Sequence, residues 1–295
     1  MNPLKVAVTG GSGRIGAALV RHLSARGHHV VNVDRAAPTY VSATSSGAAA
    51  AVAAAVFVQA DLRERASLEP IFKGLDAVCH LGEYPGVFRG MTPDGVYAHN
   101  TAAGSTAMQA AVDLGIKRII YTSTCQVYGA WGEPMVPLDH FNFDEEHPKR
   151  PANAYSASKF ANEAYARMLS RSAPDRSISI FRFPAVFPVE TGPGLRERMG
   201  EFLKKRGGVD GYGTYLLISD AVEAYALALE ANIIGCEAYH FSAPDLFSSA
   251  PITEWMKYCK VMAPIVPADY PPFKSPLNCE KAKRMLGWTG TAGLR

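Results

Sequence analysis

Short apolar runs alternate along the chain with longer segments in which apolar residues recur every three or four positions. The short runs predict strands at residues 4–9, 29–34, 56–61, 76–82, 117–124 and 177–183. The longer segments predict amphipathic helices at residues 14–26, 64–73, 95–114 and 154–171. Strands that alternate with helices are typical of βαβ units, and continuously apolar strands are buried on both faces. The pattern therefore predicts an α/β fold built on a doubly wound parallel sheet.

Two stretches depart from this alternation. Residues 36–55 are half alanine with little helical amphipathicity, which predicts a surface insertion with at most one weak helix. After Phe183 the sequence is rich in Pro and Gly through Gly213. Helix patterns then return at residues 219–230 and 278–286, and a strand pattern at 237–242. We therefore predict two units, a large domain of residues 1–183 that also receives about 214–235, and a small interleaved C-terminal lobe of residues 184–213 and 236–295.

Composition narrows the classes of function. The chain has 295 residues, of which 48% are hydrophobic and 19% charged, and no apolar run reaches the roughly 18 residues that a membrane span needs. We expect a cytoplasmic protein without a membrane partner. Thirty basic residues stand against 27 acidic ones without a long basic run, so we expect no nucleic-acid partner. The five cysteines are widely spaced, and no His, Cys or carboxylate cluster has metal-ligand spacing, so we expect free thiols and no metal.

A glycine-rich segment follows the first predicted strand and opens the first predicted helix. Its glycines are spaced as Gly10-x2-Gly13-x2-Gly16. Glycines there let backbone N–H groups approach a pyrophosphate, and the helix N-terminus supplies positive potential. Asp34 ends the second predicted strand, where a carboxylate accepts hydrogen bonds from an adenosine ribose. Together these features predict a Rossmann-like dinucleotide site.

A second group of residues has the chemistry of an acid/base site. Tyr155 and Lys159 stand four positions apart near the start of a predicted helix, so they share a face. Residues 122–124, Thr-Ser-Thr, end the fifth predicted strand, and ligands of open α/β sheets bind beyond the carboxyl ends of strands. A phenol with a pKa near 10 is a poor base, but a nearby ammonium group favours the phenolate. We therefore expect a hydroxyl, the phenol and the lysine to converge, whereas His80 is interpreted as a packed residue.

These residues belong to an ordered set of motifs. The set consists of TGGSGRIG (9–16), Asp34, Asp61-Leu62, HLG (80–82), Asn100, YTSTCQVYG (121–129), YSASK (155–159) and LGW (286–288). In this order they resemble the signatures of extended short-chain dehydrogenases/reductases, and the chain is similar to the NAD-dependent epimerase/dehydratase branch over essentially its whole length. The resemblance implies that the large domain binds NAD, that the small lobe binds substrate, and that hydride is transferred. It also implies a homodimer packed through the helices that hold Asn100 and Tyr155.

The resemblance also implies residue roles. Tyr155 would be the general acid/base, Lys159 would lower its pKa and hold the nicotinamide ribose, and Thr124 would bond the substrate oxygen, with Ser123 as the second choice. The residues expected to bind cofactor are Gly10, Gly13, Arg14, Ile15, Gly16, Asp34, Arg35, Asp61, Leu62, Leu81, Gly82, Asn100, Thr122, Tyr155, Lys159 and Phe183. The residues expected to border the substrate are Glu83, Tyr84, Ser123, Thr124, Cys125, Gln126 and Arg196.

Three departures from the family pattern bear on the reaction. Cys125 and Gln126 stand where sugar-nucleotide 4,6-dehydratases have an Asp–Glu pair, which disfavours a dehydratase; Cys125 is read as a small packing residue rather than a nucleophile. The segment 190–213 is shorter than the region with which typical epimerases of the family wrap a nucleotide, so a smaller sugar or a uronic acid becomes plausible. Arg14 and Arg35 could bind a 2′-phosphate, but Asp34 would repel it, which favours NAD over NADP.

The sequence leaves three functions open. The first is an NAD-dependent epimerase or oxidoreductase of a sugar or nucleotide-sugar. The second is a dehydrogenase of a small substrate such as a free uronic acid, which uses the same proton and hydride chemistry but releases the oxidised product. The third is a dinucleotide-sensing module without catalysis, and the presence of both Tyr155 and Lys159 argues against it.

Overall fold

The fold is seen in a computed structural model that describes residues 2–38, 55–88, 90–130, 136, 138–188, 211–247, 251–253 and 266–291. The strands in this part of the chain are β1 (Lys5–Thr9), β2 (His29–Asp34), β3 (Val56–Gln59), β4 (Ala77–His80), β5 (Arg118–Thr124), β6 (Ser177–Phe183), β7 (Ala185–Phe187), β8 (Tyr215–Leu217) and β9 (Gly235–His240). The helices are α1 (Arg14–Ala25), α2 (Arg65–Phe72), α3 (Pro93–Asp113), α4 (Ala154–Ser172), α5 (Ile218–Ala231) and α6 (Glu280–Leu286). Most of the predicted insertion at 36–55, and Arg196, lie outside the described residues.

Seven of these strands form one parallel sheet in the order β3-β2-β1-β4-β5-β6-β9. Alternate residues of a strand face opposite sides of the sheet, and β1 shows this clearly. Val6 and Val8 join a core with Leu23 of α1 and Tyr225 of α5, whereas Ala7 joins a second core formed with α2, α3 and α4. Helices therefore cover both faces, and the predicted doubly wound α/β fold is observed.

The order of the strands determines where a ligand fits. The chain runs outward from β1 to β2 and β3, then returns to place β4 on the other side of β1. A crevice opens at such a reversal, beyond the carboxyl ends of the strands. Thr9 ends β1 and His80 ends β4, so the glycine loop and the segment after β4 face each other across this crevice.

The predicted boundary between the two units is wrong in its C-terminal part. β9 pairs with β6 over six register positions, from Ser177↔Gly235 to Arg182↔His240, so it belongs to the main sheet rather than to the small lobe. Leu286 of α6 and Trp288 pack into the same core as α1 and α5. A separate core contains, within the described residues, Cys125, Val127, Tyr128, Ala130, Leu138, Phe141, Phe143, Tyr212, Leu246, Ile252 and Leu277. The smaller lobe thus draws on residues after β5 as well as on C-terminal ones.

Two short strands were not expected. β7 and β8 pair in a separate two-stranded sheet, from Ala185↔Tyr215 to Phe187↔Leu217. Each has three residues, which is too short for a periodic pattern to appear in the sequence. In the part of the chain that the structure describes, no helix has the length and apolar character that would let it cross a membrane.

Candidate active site

The glycine loop closes tightly on itself and on the segment after β4. Gly10 has a φ of +70°, and a Cβ at this position would lie 2.7 Å from the Cα of Gly82. A Cβ on Gly16 would lie 2.1 Å from the carbonyl oxygen of Gly10. α1 begins directly after Gly13, and among the described residues no side chain caps it and no acidic residue occupies its first turn. The free N–H groups and positive end of the helix therefore favour an anion at this edge of the crevice.

The crevice beside this loop is lined by residues from five segments of the chain. They are Gly10, Gly13, Asp34, Arg35, Asp61, Leu62, Leu81, Gly82, Glu83, Tyr84 and His99. Asp34 is held in place because its carboxylate accepts hydrogen bonds from the backbone N–H of Ser12 at 3.1 Å and of Ala36 at 3.2 Å. Arg14 is exposed at the start of α1, Ile15 packs partly on the core, and Gly16 is buried within the loop.

Asp61 and Leu62 form one wall of the crevice. Arg63 donates from Nε and Nη2 to the Asp61 carboxylate, at 3.0 and 2.6 Å. These hydrogen bonds hold the pKa of Asp61 well below its ordinary range. Leu62 is buried and lies close to Gly82. A Cβ added to Gly82 would lie 2.0 Å from the Leu62 Cδ1. The wall therefore offers an ionised carboxylate beside an apolar surface.

Arg35 and Tyr84 meet across the crevice. Arg35 donates from Nη2 to the Tyr84 hydroxyl at 2.6 Å, and its guanidinium lies 5.1 Å from the centre of the ring. His99 contacts the same ring, with centroids 4.2 Å apart. Asn100 accepts from the backbone N–H of Tyr84 and donates to its carbonyl, each at 2.9 Å. Asn100 was expected to contact the cofactor; its side chain instead fixes the backbone of Tyr84.

The three residues expected to be catalytic come together at the carboxyl end of β5. Thr124 ends that strand, and Tyr155 is the second residue of α4, whose first turn is fixed by a capping box between Asn153 and Ser156. The Thr124 hydroxyl donates to the Phe183 carbonyl at 3.4 Å and accepts from the Gln126 N–H at 3.2 Å, and its nearness to Tyr155 acts to lower the pKa of the phenol. The Lys159 Nζ lies 5.7 Å from the centre of the Tyr155 ring and donates to the Thr122 carbonyl at 2.6 Å.

The charges around Tyr155 are more balanced than the sequence suggested. Burial raises the pKa of Tyr155, Lys159 lowers it, and Glu83 raises it again, so the net pKa lies above the ordinary value of a tyrosine. Burial alone would lower the pKa of Lys159, but Glu83 and Tyr155 raise it, and the net pKa lies above the ordinary value. Lys159 is therefore a cation whose charge is shared between the phenol and a buried carboxylate.

Three side chains expected to border the substrate point elsewhere. Glu83 is 1% exposed and accepts from Lys159 Nζ at 2.8 Å, so it lies beneath the lysine rather than in the substrate space. Ser123 is buried and donates to Glu163 at 2.7 Å on the opposite face of β5. Cys125 is buried and donates its S–H to the Arg182 carbonyl, and burial raises the pKa of its thiol well above the ordinary value. Gln126 stays at the site, half-buried, and accepts from Asn153 Nδ2 at 3.2 Å.

Two further residues expected to contact the cofactor have side chains that are engaged elsewhere. The Thr122 hydroxyl hydrogen-bonds the Tyr225 hydroxyl of α5, so only its backbone carbonyl faces Lys159. Phe183 is buried and packs against Phe181 and Phe241 in the main core. Sequence analysis also missed His99 in the crevice, for which its position beside Asn100 was the one available signal. In the described part of the chain, no group of three or more His, Cys, Asp or Glu residues is arranged to hold a metal ion.

The sequence profile of the NAD dependent epimerase/dehydratase family matches residues 6–235. The chain belongs to this family. Its relatives include the UDP-glucose 4-epimerases of Streptococcus mutans, 28% identical over 97% of this chain and 91% of that protein, and of Bacillus subtilis, 26% identical over 99% and 94%. The predicted family, its enzymatic character and its dependence on NAD are thereby confirmed.

Several solved structures have the same fold. The UDP-glucose 4-epimerase of Thermotoga maritima has a TM-score of 0.69 and 24% identity, and covers 99% of this chain and 95% of that one. The UDP-Glc/GlcNAc 4-epimerase of Campylobacter jejuni has a TM-score of 0.69 and 22% identity, with 98% and 95% coverage. A mutated uronate dehydrogenase has a TM-score of 0.66 and 21% identity, with 98% and 82% coverage. At these identities the likeness confirms the α/β fold.

The crevice suits the NAD that the family uses. The uncapped N-terminus of α1 faces the space beside Gly10 and Gly13, as a pyrophosphate requires. The fixed Asp34 carboxylate stands where a ribose would bond, and Leu62 offers an apolar surface for a base. Lys159 and Tyr155 lie toward the other end, beyond β5.

Proposed function

We propose that this protein is an NAD-dependent epimerase that inverts a hydroxyl-bearing carbon of a nucleotide-sugar. The observation that carries the proposal is the convergence of Thr124, Tyr155 and Lys159 beside a glycine-lined crevice suited to NAD. A dinucleotide sensor has no chemical need for a phenol placed beside a threonine hydroxyl and a buried ammonium group. The names of the relatives, UDP-glucose 4-epimerases that match nearly the whole chain, support a UDP-hexose as substrate.

Each of the three residues has a defined task. Tyr155 removes the proton from the substrate hydroxyl and later returns it. Lys159 stabilises the phenolate formed in the first step, and Thr124 donates a hydrogen bond to the substrate oxygen. The glycine loop and Lys159 would hold NAD, which would supply a reversible acceptor for the hydride on the carbon that bears this hydroxyl. Return to the opposite face of the sugar inverts the carbon, whereas release of the oxidised sugar would make the protein a dehydrogenase.

The surroundings of the site support further parts of the proposal. Large apolar side chains are exposed on α3 and α4, namely Tyr97, Phe160 and Met168, and we propose that a second copy of the chain covers them in a homodimer. We also propose that the smaller lobe, which contains Phe141 and Leu246, contacts the sugar-like substrate, and that the protein acts in the cytoplasm.

A second candidate function is a dehydrogenase of a free uronic acid. The observation in its favour is the short segment 190–213, which leaves little chain to enclose a nucleotide. Both candidates use the same Tyr155 chemistry and differ in whether the oxidised product leaves, so the identity of the products separates them.

The experiment incubates purified protein with NAD and a panel of UDP-sugars, dTDP-sugars, free sugars and free uronates, with products identified by NMR. An inverted stereocentre without net NADH supports the epimerase, and net NADH with a free uronate supports the dehydrogenase. NAD binding without turnover of any sugar supports a sensing module instead.

A substitution tests the role of the phenol. Tyr155→Phe should lower turnover by about 10²–10⁴-fold because the proton carrier is lost, while NAD still binds to the glycine loop. Tyr165→Phe is the matched control. It also removes a tyrosine hydroxyl from α4, but that hydroxyl contacts Gln109 rather than the site. Turnover that survives in Tyr155→Phe would contradict the mechanism.

A further inference from the structure

Glu83 is a buried carboxylate with an unusually complete set of partners. It follows β4, and its side chain is 1% exposed. One oxygen lies 2.8 Å from Lys159 Nζ and 3.2 Å from the Tyr121 hydroxyl. The other lies 3.2 Å from His80 Nε2 and 3.0 Å from Asn162 Nδ2. Burying an unpaired carboxylate is costly, and here both oxygens are satisfied by groups from β4, β5 and α4.

The neighbouring helix leaves room for this carboxylate. Gly104 lies on α3, opposite Glu83 and Asn162. A Cβ at Gly104 would stand 2.5 Å from the Glu83 Oε1 and 2.1 Å from the Asn162 Nδ2. Any larger residue would therefore displace the pair. The backbone of the next residue, Tyr84, is held at both its N–H and its carbonyl by Asn100, which fixes the segment that carries Glu83.

We propose that Glu83 is a positioning residue for the reaction, one that holds the Lys159 ammonium at the end of β5 and balances its charge beside Tyr155. This inference rests on the proposed function, in which Lys159 serves the phenol. Lys159 has two fixed acceptors, the Thr122 carbonyl at 2.6 Å and Glu83 at 2.8 Å, which together hold Nζ 5.7 Å from the centre of the Tyr155 ring. Without Glu83, the lysine would keep its charge but lose one of these two anchors.

The charge balance has a direction that can be measured. The ion pair of Lys159 with Glu83 reduces the net positive potential at the phenol, so the phenolate forms less readily than it would beside an isolated ammonium. Four other titratable groups lie close enough to Glu83, Lys159 or Tyr155 to act on their charges. They are His80 on β4, Tyr121 on β5, Cys125 after β5 and Glu163 on α4. Of all these groups, Glu83 is the carboxylate that contacts Lys159 directly.

The test measures the ionisation of Tyr155 without substrate. Tyrosinate absorbance is followed from about pH 7 to about pH 12, and subtraction of the Tyr155→Phe titration leaves the signal of Tyr155. In Glu83→Gln the amide oxygen still accepts from Lys159, but the negative charge is gone. We expect the titration of Tyr155 to move down by about one pH unit. An unchanged titration would overturn the proposal.

The control neutralises another buried carboxylate. Glu145 is buried and accepts from the backbone N–H of His240 at 2.7 Å. Glu145→Gln should leave the titration of Tyr155 where it is in the wild type. A shift of equal size in Glu145→Gln would mean that general loosening of the fold moves the phenol, and that result too would overturn the proposal.

Kinetics give an independent readout on an active substrate. The ascending limb of the pH profile of kcat/KM, where Tyr155 loses its proton, should move to lower pH in Glu83→Gln, in step with the direct titration. The titration needs no substrate, so the proposed function and the role of Glu83 can fail separately. Turnover that survives in Tyr155→Phe contradicts the proposed function. An unchanged titration of Tyr155 in Glu83→Gln contradicts the role of Glu83.

A second measurement covers the case in which Glu83→Gln does not fold. In protein labelled with carbon-13 at the glutamate carboxyl groups, the Glu83 signal is assigned with Glu83→Asp. Its chemical shift should follow the ionisation of Tyr155 in the wild type and should lack that inflection in Tyr155→Phe. Identical behaviour in the two proteins would overturn the proposal.

Discussion

A buried ion pair behind the active-site strand gives the strongest stability prediction. Arg182 is fully buried on β6 and donates from Nε and Nη2 to the two carboxylate oxygens of Glu163, at 2.9 and 2.6 Å. Its Nη1 donates to the Tyr128 hydroxyl at 2.6 Å and to the Glu145 carbonyl at 2.8 Å. The carboxylate of Glu163 also accepts from Ser123 at 2.7 Å. The guanidinium thus connects α4, β5, β6 and the segment that follows the 3₁₀ turn at Cys125–Tyr128.

Arg182→Met would leave the Glu163 charge buried without its bidentate partner. Removal of one member of a buried pair typically costs about 3–5 kcal/mol, a large share of the roughly 5–15 kcal/mol by which a protein is stable. Replacing both partners in Arg182→Met/Glu163→Gln removes both buried charges. We expect the double variant to lose about 2–3 kcal/mol less than the sum of the two single variants. It still loses about 1–3 kcal/mol, because the Tyr128 hydroxyl and the Glu145 carbonyl each lose the hydrogen bond from Arg182.

Urea denaturation at neutral pH, followed by circular dichroism, measures the free energy of unfolding of the wild type, of each single variant and of the double variant. The control is Lys117→Met, which breaks the exposed pair of Lys117 with Asp175 and should leave the midpoint almost unmoved. A loss below about 1 kcal/mol in Arg182→Met, or strictly additive single variants, would refute the reasoning, because either result means that the buried charges are not coupled.

Two further predictions concern cofactor binding and pH. In Gly16→Ala the new methyl group would meet the Gly10 carbonyl, so the loop must deform. NAD should then bind at least about tenfold more weakly, as measured by a fluorescence titration. Wild-type affinity in the variant would contradict the proposed fit of NAD to the loop. Burial holds the pKa of His240 well below its ordinary value, so below about pH 6.5 the unfolded chain takes up a proton that the folded protein excludes. The free energy of unfolding should therefore decrease as the pH is lowered, by up to about 1.4 kcal/mol per pH unit. Urea denaturation at about pH 5 and pH 7 measures this dependence, and His240→Asn should make it weaker. An equal dependence in the variant and the wild type would contradict the role of His240.

Periodic segments explain why most of the architecture was predictable. The six strands expected from Leu4 to Phe183 all form. Those inside the sheet are mostly apolar runs that a sheet covered on both faces can bury, whereas β3 lies at the edge and has no buried residue. The two-residue shift of the last strand, expected at 237–242 and found at Gly235–His240, has a different cause. Its first residues are half-buried at the edge of the sheet, so hydropathy gave little guidance there.

Side-chain direction was the part of the site that the sequence conveyed least well. Alternation along β5 places Thr122 and Thr124 on one face and Ser123 on the other, which alone would have excluded Ser123 as a substrate residue. Glu83 is different, because it follows the end of β4 and no periodicity applies to it. Its inward direction depends on Lys159 and Asn162 from a helix about 80 residues further along the chain.

The two faces of β5 link stability to the proposed chemistry. Thr124 meets Tyr155 on one face, and on the other the neighbouring Ser123 is tied to the Glu163–Arg182 pair. Glu163 lies one turn of α4 beyond Lys159, so the same helix carries the lysine of the site and the acid of the buried pair. Disruption of that pair therefore loosens β5 and α4 together, and these are the two elements whose relative position sets the contact of Thr124 with Tyr155. It follows that Arg182→Met should weaken turnover even under conditions in which it remains folded, through geometry rather than through loss of a reacting group.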